Sequence, residues 1–144
     1  MPGNLIIDES RCKFLMPDYG KQVIYGFGFH DFLRQSDYKP EVEMQMQAKS
    51  FPAYFYLLGD DLLMCIILQP IGTSNFRESL AKWSLKSGDI SPMPYEHPDI
   101  ERRRIDFAVS VEKGLYAEVY HHHDLITIGN MDGTLRYNIY GPRW

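Results

Sequence analysis

The sequence predicts a mainly β protein of the α+β class, an antiparallel curled sheet, barrel or sandwich of about eight to ten short strands with one packed helix. Three observations predict this fold. Short apolar segments recur between clusters of turn-forming residues, and residues 41–48 alternate strictly between apolar and polar side chains. One segment, at about residues 75–87, carries the start and stop signals of a helix.

The N-terminal third consists of short extended segments separated by turn residues. Strands are expected at residues 5–8, 12–16 and 22–27. The next strand, residues 41–48, shows the clearest alternation in the chain. Its period of two predicts that Val42, Met44, Met46 and Ala48 face a core, whereas the Glu and Gln side chains between them face water.

A hairpin follows, with strands at 54–58 and 62–68 joined by Gly59-Asp60-Asp61. The second of these strands is apolar on both faces, which is not typical of a sheet with one solvated side. We therefore expect it to be an interior strand with a further layer covering its second face.

The helix at about residues 75–87 is expected to form that layer. Asn75 is a good N-cap, Glu78 stands three residues later as in a capping box, and Gly88 follows the last turn. The apolar side of the helix would consist of Phe76, Leu80 and Trp83.

Three prolines in residues 89–99 predict one long loop, because proline interrupts regular structure. The final third predicts a β-meander. Its strands are expected at residues 103–111, 115–122, 125–129 and 134–140.

Length and composition are those of one globular domain spanning residues 1–144, with 44% apolar and 24% charged residues. The net charge of −4 disfavours nucleic acid as a partner, because the chain lacks the positive field that attracts a polyanion. The same charge would attract a basic protein partner.

The two cysteines and the absence of a long apolar run predict a cytoplasmic protein without a membrane partner. Cys65 lies inside the apolar run and is expected to be a buried filler, so the pair forms no disulfide framework. The longest apolar run, 62–68, is far shorter than the roughly 20 residues that a membrane helix needs.

His121 and His123 are the candidate metal ligands. On a strand they would project to the same face, about 7 Å apart at their Cα atoms. A metal site needs a third protein ligand, and no nearby Glu, Asp or His stands at a diagnostic spacing. We therefore assign no cofactor and no catalytic residue, and a metal-assisted β-barrel enzyme is kept as an alternative function.

The proline-containing loop is the candidate partner-binding segment. Met93 and Tyr95 belong to residue types that are enriched at interfaces, and Glu96 and Asp99 would form a polar rim. The favoured hypothesis is a non-catalytic binding protein that interacts with a partner protein, such as an inhibitor or immunity-type factor. A small-molecule-binding β-barrel with an aromatic-lined pocket is the second alternative.

Overall fold

The computed structural model describes residues 5–18, 20–30, 39–45, 52–59, 61–98 and 104–142. These residues form twelve strands in three antiparallel sheets of four strands each, which confirms the mainly β class. In each sheet the strands lie side by side in chain order. Within the described ranges, no helix is long and apolar enough to cross a membrane.

The N-terminal sheet has the order β1-β2-β3-β4. Its strands are β1 (Ile6–Asp8), β2 (Lys13–Asp18), β3 (Val23–Gly28) and β4 (Glu41–Gln45). Leu15 and Ile24 are fully buried on the core side of this sheet. Strands were expected at all four places, and the apolar residues of β2 and β3 are the signal that located them.

The middle sheet has the order β5-β6-β7-β8. Its strands are β5 (Ala53–Gly59), β6 (Leu62–Ile71), β7 (Asn75–Ser84) and β8 (Ile90–Pro92). The five consecutive residues from Leu63 to Ile67 are buried, so β6 is covered on both faces, as its sequence predicts.

The C-terminal sheet has the order β12-β11-β10-β9, with β12 and β9 at its edges. Its strands are β9 (Ile105–Ser110), β10 (Leu115–Tyr120), β11 (Leu125–Asn130) and β12 (Leu135–Tyr140). This is the predicted meander. Turns at 111–114, 121–124 and 131–133 join its strands.

The chain divides into two compact units. One comprises Met1–Cys65 with Lys82–Ile90, and the other comprises Ile66–Ala81 with Ser91–Trp144. The first has Leu15, Leu63 and Trp83 in its core, and the second has Tyr116 and Leu125. The single domain expected for residues 1–144 stays a prediction.

The helix predicted at about residues 75–87 is wrong, because most of this segment is strand β7. A turn at 72–74, with Gly72 at a φ of 66°, sends the chain back beside β6 as a hairpin. Pairing with β6 supplies the backbone hydrogen bonds that a helix would otherwise make internally. Gly88 is not a helix cap; its N–H donates to the carbonyl of Ser84 at 2.8 Å, closing a turn after the strand.

The predicted orientation of β4 is also wrong, since Val42 is 52% exposed and Glu43 is partly buried. The β3–β4 register shifts between Ile24 and Tyr25, and this irregularity breaks the period of two. The Glu43 side chain lies directly over Gly26, where an added Cβ would fall 2.4 Å from its carboxylate. Two cations hold it there.

Arg11 and Lys13 are the cations that hold the Glu43 carboxylate. Lys13 Nζ donates to Glu43 Oε1 at 2.7 Å, and Arg11 Nη1 lies 3.5 Å from Glu43 Oε2. Arg11 Nε also donates to Asp8 Oδ2 at 2.7 Å and lies 3.1 Å from Asp61 Oδ1. This charge network joins β1, β2 and β4 to the β5–β6 turn, all within the first unit.

Asp8 is the most buried member of the network, at 3% exposure. Burial raises the pKa of its carboxyl, but hydrogen bonds from Arg11 and Ser10 outweigh this effect and hold the pKa below its ordinary value. A lowered native pKa stabilises the fold above the unfolded pKa of about 4, and this contribution is lost as the pH falls through the native pKa.

We expect Asp8→Asn to lower the free energy of unfolding by about 1–3 kcal/mol at pH 7, because Arg11 loses a buried charged partner. The difference from the parent should shrink between about pH 5 and pH 2. Urea unfolding across this range measures both effects. Asp89→Asn, at an exposed position of the same unit, is the control, and a pH-independent difference for Asp8→Asn would contradict the prediction.

We expect Trp83→Ala to lower the free energy of unfolding by about 3–5 kcal/mol, because Trp83 is fully buried. Its ring packs against Phe55 with the centroids 5.6 Å apart. Phe76 lies on the same strand but is 53% exposed, so Phe76→Ala should cost less than about 1 kcal/mol. Equal effects of the two substitutions in denaturant unfolding would show that β7 is placed wrongly.

Candidate protein-binding surface

The proline loop, residues 92–98, belongs to the second unit, and three of its residues contact other residues of that unit. Met93 is buried, and its N–H donates to the carbonyl of Leu80 at 2.8 Å. The Tyr95 hydroxyl accepts a hydrogen bond from Asn138 Nδ2 at 3.1 Å. The Glu96 carboxylate pairs with both terminal nitrogens of Arg77, at 3.1 and 3.2 Å.

Two further contacts hold the C-terminal end and the middle of this loop. His97 is buried, and its Nε2 lies 3.3 Å from the Tyr140 hydroxyl. Pro94 lies over Gly133, where an added Cβ would come within 2.5 Å of the proline ring. Gly133 has a φ of 95°, a conformation that other residues rarely adopt.

The loop therefore does not present its predicted binding residues as one free surface. Met93, Tyr95 and Glu96 are turned to the protein's own residues, and Asp99 lies outside the described residues. The partner-binding role of these four residues stays a prediction, and it would require a partner to displace internal contacts.

The histidine turn, residues 121–124, joins β10 to β11, so the strand ends before the candidate metal ligands. His122 has a φ of 67°, which turns the chain between His121 and His123. The strand spacing predicted for these two side chains therefore does not hold.

His121 instead pairs with an acid of the neighbouring strand. Its Nε2 lies 2.6 Å from Asp106 Oδ2, and both side chains are exposed. Among the residues that the structure describes, no group of three or more His, Cys, Asp or Glu side chains could hold a metal ion. Metal binding by His121 and His123 stays a prediction.

The inner face of the C-terminal sheet carries a polar row between apolar ones. Glu118 and Thr127 are fully buried and lie opposite each other on β10 and β11. The Thr127 hydroxyl donates to Asn138 Oδ1 at 2.6 Å, and Asn138 in turn reaches Tyr95 in the proline loop. This row links the sheet to the loop that covers it.

Sequence reasoning missed the burial of Glu118, although the signal was present. Tyr116, Glu118 and Tyr120 alternate along β10, and both tyrosines are buried. Tyr116 lies across Gly129 on β11, where an added Cβ would come within 2.4 Å of its ring. An acid between two large aromatic residues at period two is buried with them.

The outer face of the C-terminal sheet is apolar and exposed. Two of its rows run across all four strands with the residues directly opposite one another. The first row is Asp106, Val119, Ile126 and Ile139, and the second is Ala108, Ala117, Ile128 and Tyr137. Val119, Ile139 and Tyr137 are 37%, 46% and 54% exposed.

Two shallow grooves cross this outer face. One, of about 290 Å³, runs beside Ala117, Ile128 and Tyr137, and the other, of about 300 Å³, beside Val119, Ile126 and Ile139. The strand β12 is an edge of the sheet, and no described strand is hydrogen-bonded to its far side. Apolar side chains and an edge of the described sheet thus lie next to each other.

The sequence analysis assigned no role to this outer face, although β11 contains a signal for it. In β11 apolar residues stand on both faces, with Leu125 on the inner face and Ile126 and Ile128 on the outer face. Such a pattern is typical of a strand covered on both sides.

In comparisons with known proteins, the sequence matches no protein-family model and no curated protein.

We expect Tyr95→Phe to lower the free energy of unfolding by about 1 kcal/mol, because Asn138 loses the acceptor that holds the proline loop on the sheet. Glu96→Gln weakens an exposed ion pair and should cost less than about 1 kcal/mol. Urea unfolding measures both. Trypsin cleavage at Arg104 should be faster in Tyr95→Phe, and an unchanged rate with unchanged stability would show that the loop is not held by this contact.

Proposed function

We propose that this chain is a non-catalytic protein-interaction module whose partner binds the outer face of the C-terminal sheet. The observation that carries the proposal is the exposure of two adjacent, largely apolar rows, in which Asp106 is the one polar side chain. Ser110 and Asn130 lie on the same face in the next row, on either side of Leu115. Contiguous exposed apolar surface on a folded protein marks a binding site more often than scattered apolar residues do.

The composition of the outer face supports a protein as the partner. Tyr137 is a large aromatic residue at the centre of the exposed β12 edge, and tyrosine is enriched among residues that dominate binding energy. The two grooves on this face are shallow and open, whereas small-molecule sites are usually concave and enclose most of the ligand. A flat, exposed apolar face fits a second protein surface better.

The rim of this face supports the expectation of a basic partner. Asp106 and Asp124 are exposed at the end of the sheet nearest the histidine turn, and the whole chain carries a net charge of −4. Acidic side chains around an apolar centre would attract a basic partner electrostatically. They would also form the polar rim that is typical of protein interfaces. The proposal includes inhibition of the partner by this binding, as in an immunity-type factor. Inhibition is tested on the partner itself.

The test begins with identification of the partner by crosslinking from a photoreactive residue at position 137, with the same residue at exposed position 54 of β5 as control. The binding affinity of the purified partner is then measured for Tyr137→Ala and Tyr54→Ala. We expect Tyr137→Ala to weaken binding at least about 30-fold, equivalent to about 2 kcal/mol, and Tyr54→Ala to leave it unchanged.

Denaturant unfolding checks that both variants keep the parent's stability. A partner that binds a folded Tyr137→Ala variant as tightly as the parent would show that the outer face is not the interface. If Tyr95→Ala abolishes binding and Tyr137→Ala does not, the interface is the proline loop and not the outer face.

A further inference from the structure

The far edge of β12 borders the apolar outer face. The strand β11 is hydrogen-bonded to one edge of β12, and none of the described strands is bonded to the other. Tyr137 and Ile139 stand on β12 and are about half exposed. Exposed strand edges pair readily with another chain, and natural proteins usually protect them with charged residues or proline. Residues 137–141 contain neither.

The backbone of β12 presents hydrogen-bonding groups to this edge at alternate residues. The Gly141 N–H donates to the carbonyl of Asp124 at 2.6 Å, so the backbone of Gly141 points to β11. In an antiparallel pair this direction alternates from one residue to the next. The backbone groups of Ile139 and Tyr137 therefore also point to β11, and those of Asn138 point to the far edge.

The opposite edge of the same sheet is used by the chain itself. On the far side of β9, the Ile105 N–H donates to Glu78 Oε2 at 2.8 Å. A side chain that takes an edge N–H prevents a further strand from pairing there. Of the two edges of the described sheet, β12 is therefore the better acceptor of a strand.

Two features set the ends of the usable part of β12. At its start, the β11–β12 register skips Arg136, and such a bulge bends the strand and interrupts regular pairing. At its end, the Asp124 side chain lies over Gly141, where an added Cβ would come within 2.5 Å of it. The five residues 137–141 between these features are called the β12 edge below.

Asp124 gives the β12 edge a preference for a positive charge. Its side chain is exposed, and Gly141 has no side chain to separate it from the edge. The groove beside Ile139 reaches this place, because Asp124, His123 and Gly141 also line it. A residue opposite Gly141 on an added strand would lie two strand spacings, about 10 Å, from Asp124. A Lys or Arg side chain there would pair with Asp124 across the glycine.

We propose that the partner adds an extended segment of its own to the β12 edge as a fifth, antiparallel strand. The segment carries apolar side chains opposite Tyr137 and Ile139 and a Lys or Arg opposite Gly141. From its N-terminal end it therefore reads basic-x-apolar-x-apolar. The antiparallel direction follows that of this sheet and is slightly the more stable one. This inference rests on the proposed function, because it names the chemistry of the partner of the same surface.

The added strand would lengthen both apolar rows of the outer face. One apolar side chain of the segment would stand beside Ile139 at the end of the first row, and the other beside Tyr137 at the end of the second. Cross-strand pairs of apolar side chains stabilise a sheet. In this mode of binding, main-chain hydrogen bonds supply affinity, and alternate side chains supply specificity.

Peptide display on the full chain tests the sequence of the segment. Random ten-residue peptides are selected on the immobilised chain at pH 8, where histidine side chains carry little charge. We expect the enriched peptides to share the pattern basic-x-apolar-x-apolar. Selection on Asp124→Asn should keep the apolar positions and lose the basic one. Selection on Glu112→Gln, which changes an exposed acid at the other end of the sheet, should keep all three.

N-methylation of one enriched peptide tests the strand pairing. The peptide N–H opposite Asn138 would point to β12, whereas the N–H opposite Ile139 would point away. Methylation of the residue between the two apolar ones should weaken binding at least about 30-fold, because a main-chain hydrogen bond is replaced by a clash. Methylation of the apolar residue opposite Ile139 should weaken it less than about 3-fold. Fluorescence anisotropy of the labelled peptides measures both.

Enriched peptides without the alternating pattern, or equal effects of the two methylations, would overturn the inference. A selection that enriches no shared pattern would overturn it as well. A parent chain that dimerises in sedimentation velocity, with the dimer lost in Tyr137→Ala, would make a second copy the occupant of the edge and would also overturn it. The proposed function fails separately, when the crosslinked partner binds a folded Tyr137→Ala variant as tightly as the parent.

Discussion

The burial of β6 on both faces is the constraint on which much of the structure depends. Five consecutive residues, 63–67, must leave water, and a strand achieves this only as an interior strand with layers on both sides. The backbone of β6 then needs a hydrogen-bonded neighbour on each edge, which β5 and β7 provide. Residues 75–84 are therefore extended, although Asn75 and Glu78 stand in the spacing of a capping box. Long-range pairing outweighs a local capping preference, which stabilises a helix by only about 1 kcal/mol.

Most of the fold could be predicted from the sequence because most of its signals are local. Turn residues and period-two alternation located ten of the twelve described strands, and the final meander was placed almost residue by residue. The failures lie where the deciding partner is distant in the sequence. Glu43 is held over Gly26 by Arg11 and Lys13, about 30 residues away, and no pattern within β4 itself could reveal this. For the same reason Val42 was assigned to the wrong side.

The candidate site was predicted less well than the fold, because site residues were chosen by type and not by environment. Met93 and Tyr95 have the side chains of interface residues, yet the same side chains serve equally well to fix a loop on its own sheet. His121 and His123 had the spacing of strand-borne ligands, but the positive φ of His122 turns the chain between them. A left-handed residue other than glycine is rarely visible in a sequence. The sequence shows the apolar character of the outer face at Ile126 and Ile128. That these residues are left for a partner to cover could be inferred only once the structure showed that the inner face is already filled by other side chains.

The contrast between the proline loop and the outer face explains why binding is assigned to the sheet. A segment that is already packed must give up its internal contacts before it binds, so the hydrogen bond of Tyr95 and the ion pair of Glu96 would count against the affinity. The side chains of the outer face are held on paired strands, and they would bind without ordering a backbone. Their exposure also costs stability in the unbound chain, since apolar surface in water is unfavourable. Covering that surface would gain free energy without breaking the contacts that hold the loop, and for this reason we propose the sheet, and not the loop, as the binding surface.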